Sequence, residues 1–440
     1  MSKSPSKLRA RKTIDIGELA NNHRPVRLNP EQLMRHSAVL AQSGSGKSFM
    51  LGRLVEELAI KTKARVLILD PNSDFIRLKE VDSNVWKDPK LIPWFHSDER
   101  KKSFSARWAK TSIVIASNRN LDGAKRLVID WGSLEINEMA AILNIDMNKD
   151  SDLYWCLRLA WQICRDTWEE TDEENYDFDY FQKQSEKVVK FLQTGQGPRI
   201  IRGNPLAQTL RVSAGGQVAR RFQALVVGLT QHAIWKSRGD GQVDIRDLIE
   251  GEDPARVAVV DLQSLEREEE RISIADRLLN ALWRRSRQEH WESIRDFALP
   301  DQRVPSFVII DETHNLAPAD KDSPAAKKLS AQFVRIAAEG RKYGLYLIVS
   351  TQRPRKVDTN VLTECDNLFL MRMTNDSDLD YARQTFGFIK PMTLKLVKSL
   401  ERGDMLLSGG IGGTTGRVHV SPRRTVQGGK GLSETHWLGL

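Results

Sequence analysis

The chain has 440 residues and a formal net charge of +9, from 67 Lys and Arg against 58 Asp and Glu. That length admits two or three domains, or one large α/β domain with insertions, and 40% hydrophobic with 28% charged residues describes a folded protein, not a disordered one. No apolar run approaches the ~18–20 residues of a membrane span, and Cys156, Cys164 and Cys365 are too few for a disulfide scaffold and lack the CxxC spacing of a zinc module.

Residues 1–12 read as a flexible basic tail carrying Lys3, Lys7, Arg9, Arg11 and Lys12 with no acid. No apolar segment follows to make a secretory leader, so the expected location is cytoplasmic. Residues 13–36 hold short apolar stretches, the pattern of a small β element. A buried-type strand is predicted at Ser37–Ala41. It runs into Gln42-Ser43-Gly44-Ser45-Gly46-Lys47-Ser48 and then a helix, Phe49 to Ile60, in which Met50, Leu51, Leu54 and Leu58 fall at helical spacing. Arg65–Asp70 reads as a strand ending in the turn-like Pro71-Asn72-Ser73-Asp74. Further strands are predicted at Ser112–Ala116, Val257–Asp261, Phe307–Asp311, Leu345–Ser350 and Leu368–Met373. Helical patterns lie between most of them, which predicts an α/β fold: a mostly parallel sheet with helices on both faces. The core is expected in two parts, 37–133 and 251–408. Residues 134–250 between them read as a helical insertion, where Tyr154, Leu157, Trp161, Cys164 and Trp168 mark a helix packed on its neighbours. Residues 409–440 are glycine-rich and read as a strand and an extended tail. Charge is uneven: acids crowd 165–180 and bases 181–238, which suits two solvated faces, a mutual ion-pair partnership, or a basic surface for phosphates.

Three motifs carry chemistry. A strand, a glycine-rich turn, Gly46-Lys47-Ser48 and a helix form the P-loop arrangement. Glycines let backbone N–H groups point at phosphate oxygens and the helix N-terminus adds its positive end. Gln42 through Ser48 are therefore expected to cradle a nucleotide, with Lys47 on the β- and γ-phosphates and the Ser48 hydroxyl on Mg²⁺. The motif usually opens with glycine; here that position is Ala41, which serves if its φ is negative. Phe307-Val308-Ile309-Ile310-Asp311-Glu312 has the form of a central strand delivering two carboxylates to its C-terminal edge. Asp311 is expected to hold Mg²⁺ through water, and Glu312 to act as general base toward the attacking water. A third strand ends in Ser350-Thr351-Gln352-Arg353-Pro354, where Gln352 is placed to orient water or sense the γ-phosphate.

Arg35-His36 to Ser48, Leu67–Asp70 with Pro71, the block Ile310 to Pro318, and Ile336 through Tyr343-Gly344 to Thr351-Gln352-Arg353-Pro354 together resemble the HerA family, in the HerA/FtsK branch of hexameric P-loop DNA translocases. The motifs stand in the family's order from about residue 13 to residue 429, and Arg424-Thr425 with Gly428-Gly429 is similar to the family's C-terminal ending. The resemblance implies a RecA-like core, an ATPase ring normally of six subunits, ATP between neighbours, and Lys47, Ser48, Asp311, Glu312 and Gln352 acting within one subunit. It also implies a cation from the adjacent subunit that stabilises charge on the transferring phosphoryl group. Arg341 is the first candidate and Arg35 the second, ahead of Arg335 and Lys342. Longer family members place a β-barrel before the P-loop; about forty residues precede Ala41 here, so a short N-terminal β element is expected instead of a full barrel. Partner docking then falls to that segment, the insertion or the tail.

The expected activity is Mg²⁺-dependent ATP hydrolysis coupled to movement on double-stranded DNA. The expected partner is an effector enzyme, a nuclease or a sirtuin-like NAD-consuming enzyme, in DNA processing or anti-phage defence. The alternatives are an ATP-binding ring that scaffolds and activates such an effector with little translocation, and a conjugation-type pump. Phosphate contacts of a translocating ring carry no sequence information; the candidates are Arg199, Arg202, Arg211, Arg220 and Arg221 in the insertion, and Lys321, Lys327 and Lys328 after the acid block.

Overall fold

A computed structural model describes residues 13–428, apart from 86, 88–97, 169–175, 231–232, 236–241, 252–253, 296–300, 302, 321–322 and 412–415. Lys321, the basic tail and most of the acidic run lie outside the described residues.

The chain builds one large sheet from β1 (Ile14–Leu19), β2 (Pro25–Leu28), β3 (Ser37–Leu40), β4 (Arg65–Asp70), β5 (Ile113–Ala116), β8 (Val257–Asp261), β9 (Ser306–Ile310), β10 (Leu345–Thr351), β11 (Asn367–Met371), β12 (Asp404–Gly409) and β13 (Val418–Val420). Their order is β2-β1-β13-β12-β11-β3-β10-β9-β4-β8-β5. From β11 to β5 every pairing is parallel. From β11 to β2 every pairing is antiparallel. The parallel strands read as apolar runs because they are covered on both faces. Along β4, Leu67 and Leu69 enter one apolar layer and Val66 and Ile68 the other, the period-2 alternation of a strand. The layer beneath Val66 and Ile68 also takes Met50, Leu51, Leu54 and Leu58, the four residues whose spacing marked the P-loop helix, which spans Lys47–Lys61.

The seven predicted parallel strands all appear, within two residues of their expected ends. Two other readings change. The N-terminal β segment is not a separate element: β1 pairs with β2 and β13, with Gly17 opposite Val420, so it closes the antiparallel wing of the main sheet. Residues 421–428 are not an extended tail. Arg424 reaches the P-loop helix, its Nε donating to Glu56 Oε2 at 3.1 Å and its Nη2 to Glu57 Oε1 at 2.6 Å. Both acids are buried, and Arg53 lies 2.9 Å from Glu57 as a second buried cation. Buried carboxylates persist only when paired in this way. The physical cause of both changes is long-range pairing, which local pattern does not report.

The helical segment is bracketed by two strands, β6 (Arg126–Val128) and β7 (Gln242–Asp244), which pair in parallel outside the main sheet. Its long helices, Ser151–Trp168, Phe178–Thr194 and Pro205–Leu229, bury Tyr154, Leu157 and Cys164, while Trp161 and Trp168 pack partly buried against the same layer. Trp131 anchors the group, edge-on to Phe178 at 4.9 Å and to Trp235 at 5.4 Å between ring centroids, the favoured geometry for aromatic quadrupoles.

Candidate nucleotide site

The C-terminal ends of β3, β10, β9 and β4 lie side by side, so the loops that follow them converge on one edge. Beyond β3 the chain turns through Gly44 (φ 76°) and Gly46 (φ 98°), both in the left-handed region that costs glycine least, and enters the helix at Lys47. No acid stands in that helix's first turn, so nothing there opposes the positive end of its dipole. Among the described non-glycine residues, only His23, Ser73, Asn144 and Glu312 have positive φ. Ala41 is not one of them and meets the condition for replacing glycine.

Lys47 Nζ lies 2.6 Å from Asp311 Oδ1 and 2.5 Å from Glu312 Oε1. Burial pushes the lysine's pKa down, but the two carboxylate charges and their hydrogen bonds outweigh it and hold the ammonium above its usual value. Asp311 is fully buried. Its Oδ1 also accepts from the Ser350 hydroxyl at 2.9 Å, while Oδ2 has no hydrogen-bond partner. Glu312 sits at φ 43°, a conformation costly for a non-glycine residue and common where function constrains the backbone. Gln352 Nε2 donates to Glu312 Oε1 at 2.9 Å, and His314 Nδ1 stands 3.3 Å from Glu312 Oε2. The P-loop, the acid pair and the strand-end amide, read from three separate stretches of sequence, thus come together.

These residues border a cleft of about 750 Å³, room for a nucleoside triphosphate. Its lining adds residues that the motifs did not mark: Asn72 and Asp74 beyond β4, Arg402 and Gly403 before β12, and His419 and Gln427 near the C-terminal end of the described chain. Asp74 Oδ2 accepts from the Ser48 hydroxyl at 2.6 Å. Asp70, at the end of β4, is buried and its carboxyl pKa is pushed up to about 7, by desolvation first and by the nearby Asp311, against the backbone N–H bonds it accepts from Phe75 and Asp74. Pro71-Asn72-Ser73-Asp74 had the composition of a plain turn, and an acid in a turn is ordinarily a solvated one. Only the fold of that loop brings Asp74 to Ser48.

The residues present fit Mg²⁺: a hydroxyl on Ser48, the buried carboxylate of Asp311 with an oxygen left unpaired, and Asp74 beside Ser48 are hard oxygen donors of the kind that ion takes.

Arg35 and Arg341 stand elsewhere. They precede β3 and β10, at the N-terminal edge of the sheet, and share one carboxylate: Asp366 Oδ2 lies 3.1 Å from Arg35 Nη1 and 2.9 Å from Arg341 Nη1. A strand the length of β10 separates the two edges by ~20 Å, so neither arginine reaches the phosphate site of its own chain. Both side chains are nearly half exposed. Beneath them His36 is fully buried and accepts from Leu347 N at 2.9 Å. Desolvation and the Arg341 charge lower its pKa to about 4, so it is a neutral prop for this edge.

The basic candidates of the insertion are scattered and none lines the cleft. Arg221 pairs with Asp150 at 3.1 Å, Arg211 lies 5.9 Å over the Phe191 ring, and Lys328 pairs with Asp276 at 2.7 Å. Arg199, Arg202, Arg220 and Lys327 are exposed.

Lys47→Ala is expected to abolish saturable binding of a fluorescent ATP analogue. It also leaves two buried carboxylates without their cation, so the melting temperature should fall; loss of one partner from a buried pair costs ~3–5 kcal/mol. Wild-type affinity in this variant would remove Lys47 from the phosphate site.

The model of the family described as "Helicase HerA, central domain" matches residues 14–282. A curated relative named DNA double-strand break repair helicase HerA, from Sulfolobus acidocaldarius, is 23% identical over 401 residues, which is 90% of this chain and 67% of that one. Its namesake from Pyrococcus furiosus is 22% identical over 424 residues, again 90% of this chain and 67% of the relative. Among solved structures, VirB4 of Thermoanaerobacter pseudethanolicus superposes with a TM-score of 0.57 at 14% identity, covering 95% of this chain and 98% of its own. The plasmid coupling protein TrwB in complex with ADP and Mg²⁺ gives 0.52 at 12% identity, covering 93% and 90%. These two likenesses confirm the RecA-like fold, and the family model covers more than half of the sequence. The chain belongs to the HerA helicase family of P-loop ATPases.

Proposed function

We propose that the chain is a subunit of a ring-shaped, Mg²⁺-dependent ATPase that moves on double-stranded DNA. The observation that carries this reading is the division of the site. Lys47, Asp311, Glu312 and Gln352 meet at one edge of the sheet, while Arg35 and Arg341 stand exposed at the other. A ring that sets the second edge of each subunit against the first edge of its neighbour completes the site with a cation.

In this reading Lys47 leaves its two carboxylates for the β- and γ-phosphates, which frees Glu312. Mg²⁺, when bound, neutralises charge on the phosphate oxygens. Gln352, already hydrogen-bonded to Glu312, holds the attacking water against that base. Glu312 takes the water's proton as the new oxygen–phosphorus bond forms and the bond to the bridging oxygen breaks. Arg341 of the adjacent subunit stabilises the charge on the transferring group, and Arg35 supports it through the shared Asp366. The exposed bases Arg199, Arg202, Arg220 and Lys327 are the better candidates for DNA phosphates, because Arg211, Arg221 and Lys328 already hold internal partners.

The family relatives named as DNA repair helicases support duplex DNA as the track. The partner proposed is an effector enzyme, a nuclease or an NAD-consuming sirtuin-like protein, in DNA processing or defence against phage. Native mass measurement of the purified complex tests assembly and partner together. The expected result is a closed ring, most simply a hexamer, with a co-purifying effector. A monomer at all concentrations in the presence of ATP and Mg²⁺ would contradict the ring. A fully active ring that never recovers an effector would count against the partnership.

A further inference from the structure

Asp74 enters the phosphate site from a loop that none of the three motifs contains. We propose that Asp74 is a positioning carboxylate of this site: it orients the Ser48 hydroxyl toward the cation and carries part of the hydration shell of bound Mg²⁺. The proposal rests on the reading of the cleft as a Mg–ATP site and adds a residue to it.

The first support is direct. Ser48 Oγ donates to Asp74 Oδ2 at 2.6 Å, and both residues line the same cleft as Lys47 and Glu312. A hydroxyl has one proton and two lone pairs. With its proton committed to Asp74, Ser48 turns its lone pairs away from that carboxylate and toward a cation. Asp311 contributes the second sign of a missing ligand, a buried Oδ2 with no hydrogen-bond partner.

The second support is how the loop is built. Asp70 Oδ1 accepts the backbone N–H groups of Asn72 at 3.2 Å and of Asp74 at 3.1 Å, and Oδ2 accepts that of Phe75 at 2.8 Å. Ser73 is forced to φ 60°, where a side chain is disfavoured. Its hydroxyl lies 2.7 Å from Asp261 Oδ1 and 2.8 Å from Gln263 Oε1, and accepts from Arg119 Nη1 at 3.2 Å. From the other side Gly428 N donates to the Asp74 carbonyl at 3.0 Å, and a Cβ at 428 would collide with the Ser73 carbonyl. A surface turn needs no such fixing. Strain held in place by buried partners from three directions is the pattern of a residue whose exact direction matters, and here that direction ends at Ser48.

The experiment measures affinity for a fluorescent ADP analogue with Mg²⁺ and with EDTA, in the full-length protein. Wild type is expected to bind more tightly with Mg²⁺. In Asp74→Ala the Mg²⁺-dependent gain should shrink by about 10–100-fold, the usual effect of removing an outer partner of a metal site, with affinity in EDTA unchanged or slightly higher. Asp74→Asn keeps the side chain's shape and an acceptor for Ser48 but loses the charge. It should melt like wild type and still lose much of the gain. A full Mg²⁺-dependent gain in Asp74→Asn would overturn the proposal, whatever the fate of Asp74→Ala. If wild type itself shows no gain from Mg²⁺, the Mg–ATP reading fails and the proposal falls with it.

Discussion

Glu312→Gln is expected to lower ATP turnover by about 10²–10⁴-fold, the usual contribution of a positioned general base, while ATP stays bound. The substitution removes a proton acceptor and preserves size. It keeps a carbonyl oxygen able to accept from Gln352, whose Nε2 now lies 2.9 Å from Glu312 Oε1. It also removes half of the charge that holds Lys47, since Glu312 and Asp311 share that ammonium at 2.5 and 2.6 Å. Lys47 is then freer to meet phosphates, so affinity for ATP should be equal to wild type or higher. Glu312 is held at φ 43°, a conformation Gln tolerates no better than Glu, so a melting curve must accompany the assay. Single-turnover hydrolysis with labelled ATP separates binding from chemistry. Hydrolysis at the wild-type rate would remove Glu312 as the base and turn attention to His314, whose Nδ1 lies 3.3 Å from Glu312 Oε2.

Arg341→Ala is expected to lower turnover by about 10³-fold or more, the range for an arginine acting on phosphoryl transfer, and to leave both ring assembly and ATP affinity near normal. Within its own chain Arg341 touches only an edge carboxylate, Asp366, which Arg35 also holds. Its loss therefore costs little stability, because an exposed ion pair contributes ~0–1 kcal/mol. The cross-subunit role has a sharp signature. Rings mixed from Arg341→Ala and Lys47→Ala subunits contain some interfaces with an intact Lys47 on one side and an intact Arg341 on the other. Those interfaces should restore part of the activity that each variant lacks alone. Intact mixed rings with no rescue would sink the assignment to Arg341, and Arg402, which lines the cleft of its own chain, would become the leading alternative.

The parallel half of the fold was legible because each of its strands is a short apolar run bounded by turn residues and alternating with amphipathic helices. Lys47, Asp311, Glu312 and Gln352 were legible because each follows such a strand directly, so a single local reading fixes both residue and position. The antiparallel wing was not legible. Its strands β1, β2, β12 and β13 are three to six residues long, and the pairing of Gly17 with Val420 joins opposite ends of the described chain. Asp74 escaped for a different reason. It stands four residues beyond its strand, and only the amides gathered by Asp70 turn it toward Ser48. The insertion shows the converse limit. A count of its bases suggested a phosphate surface, yet Arg211 and Arg221 are occupied within the insertion, and Lys328, after the acid block, is likewise paired.

Coupling between hydrolysis and DNA is the central claim, and ATP turnover measured with and without duplex DNA across a salt series tests it most directly. Phosphate contacts release counterions, so a grip of several contacts loses ~10³-fold or more in affinity between ~50 and ~200 mM salt. The expected result is strong stimulation by duplex DNA at low salt, disappearing steeply as salt rises, with the DNA-free rate little changed. A turnover that is the same with and without duplex DNA at every salt concentration would contradict a DNA motor.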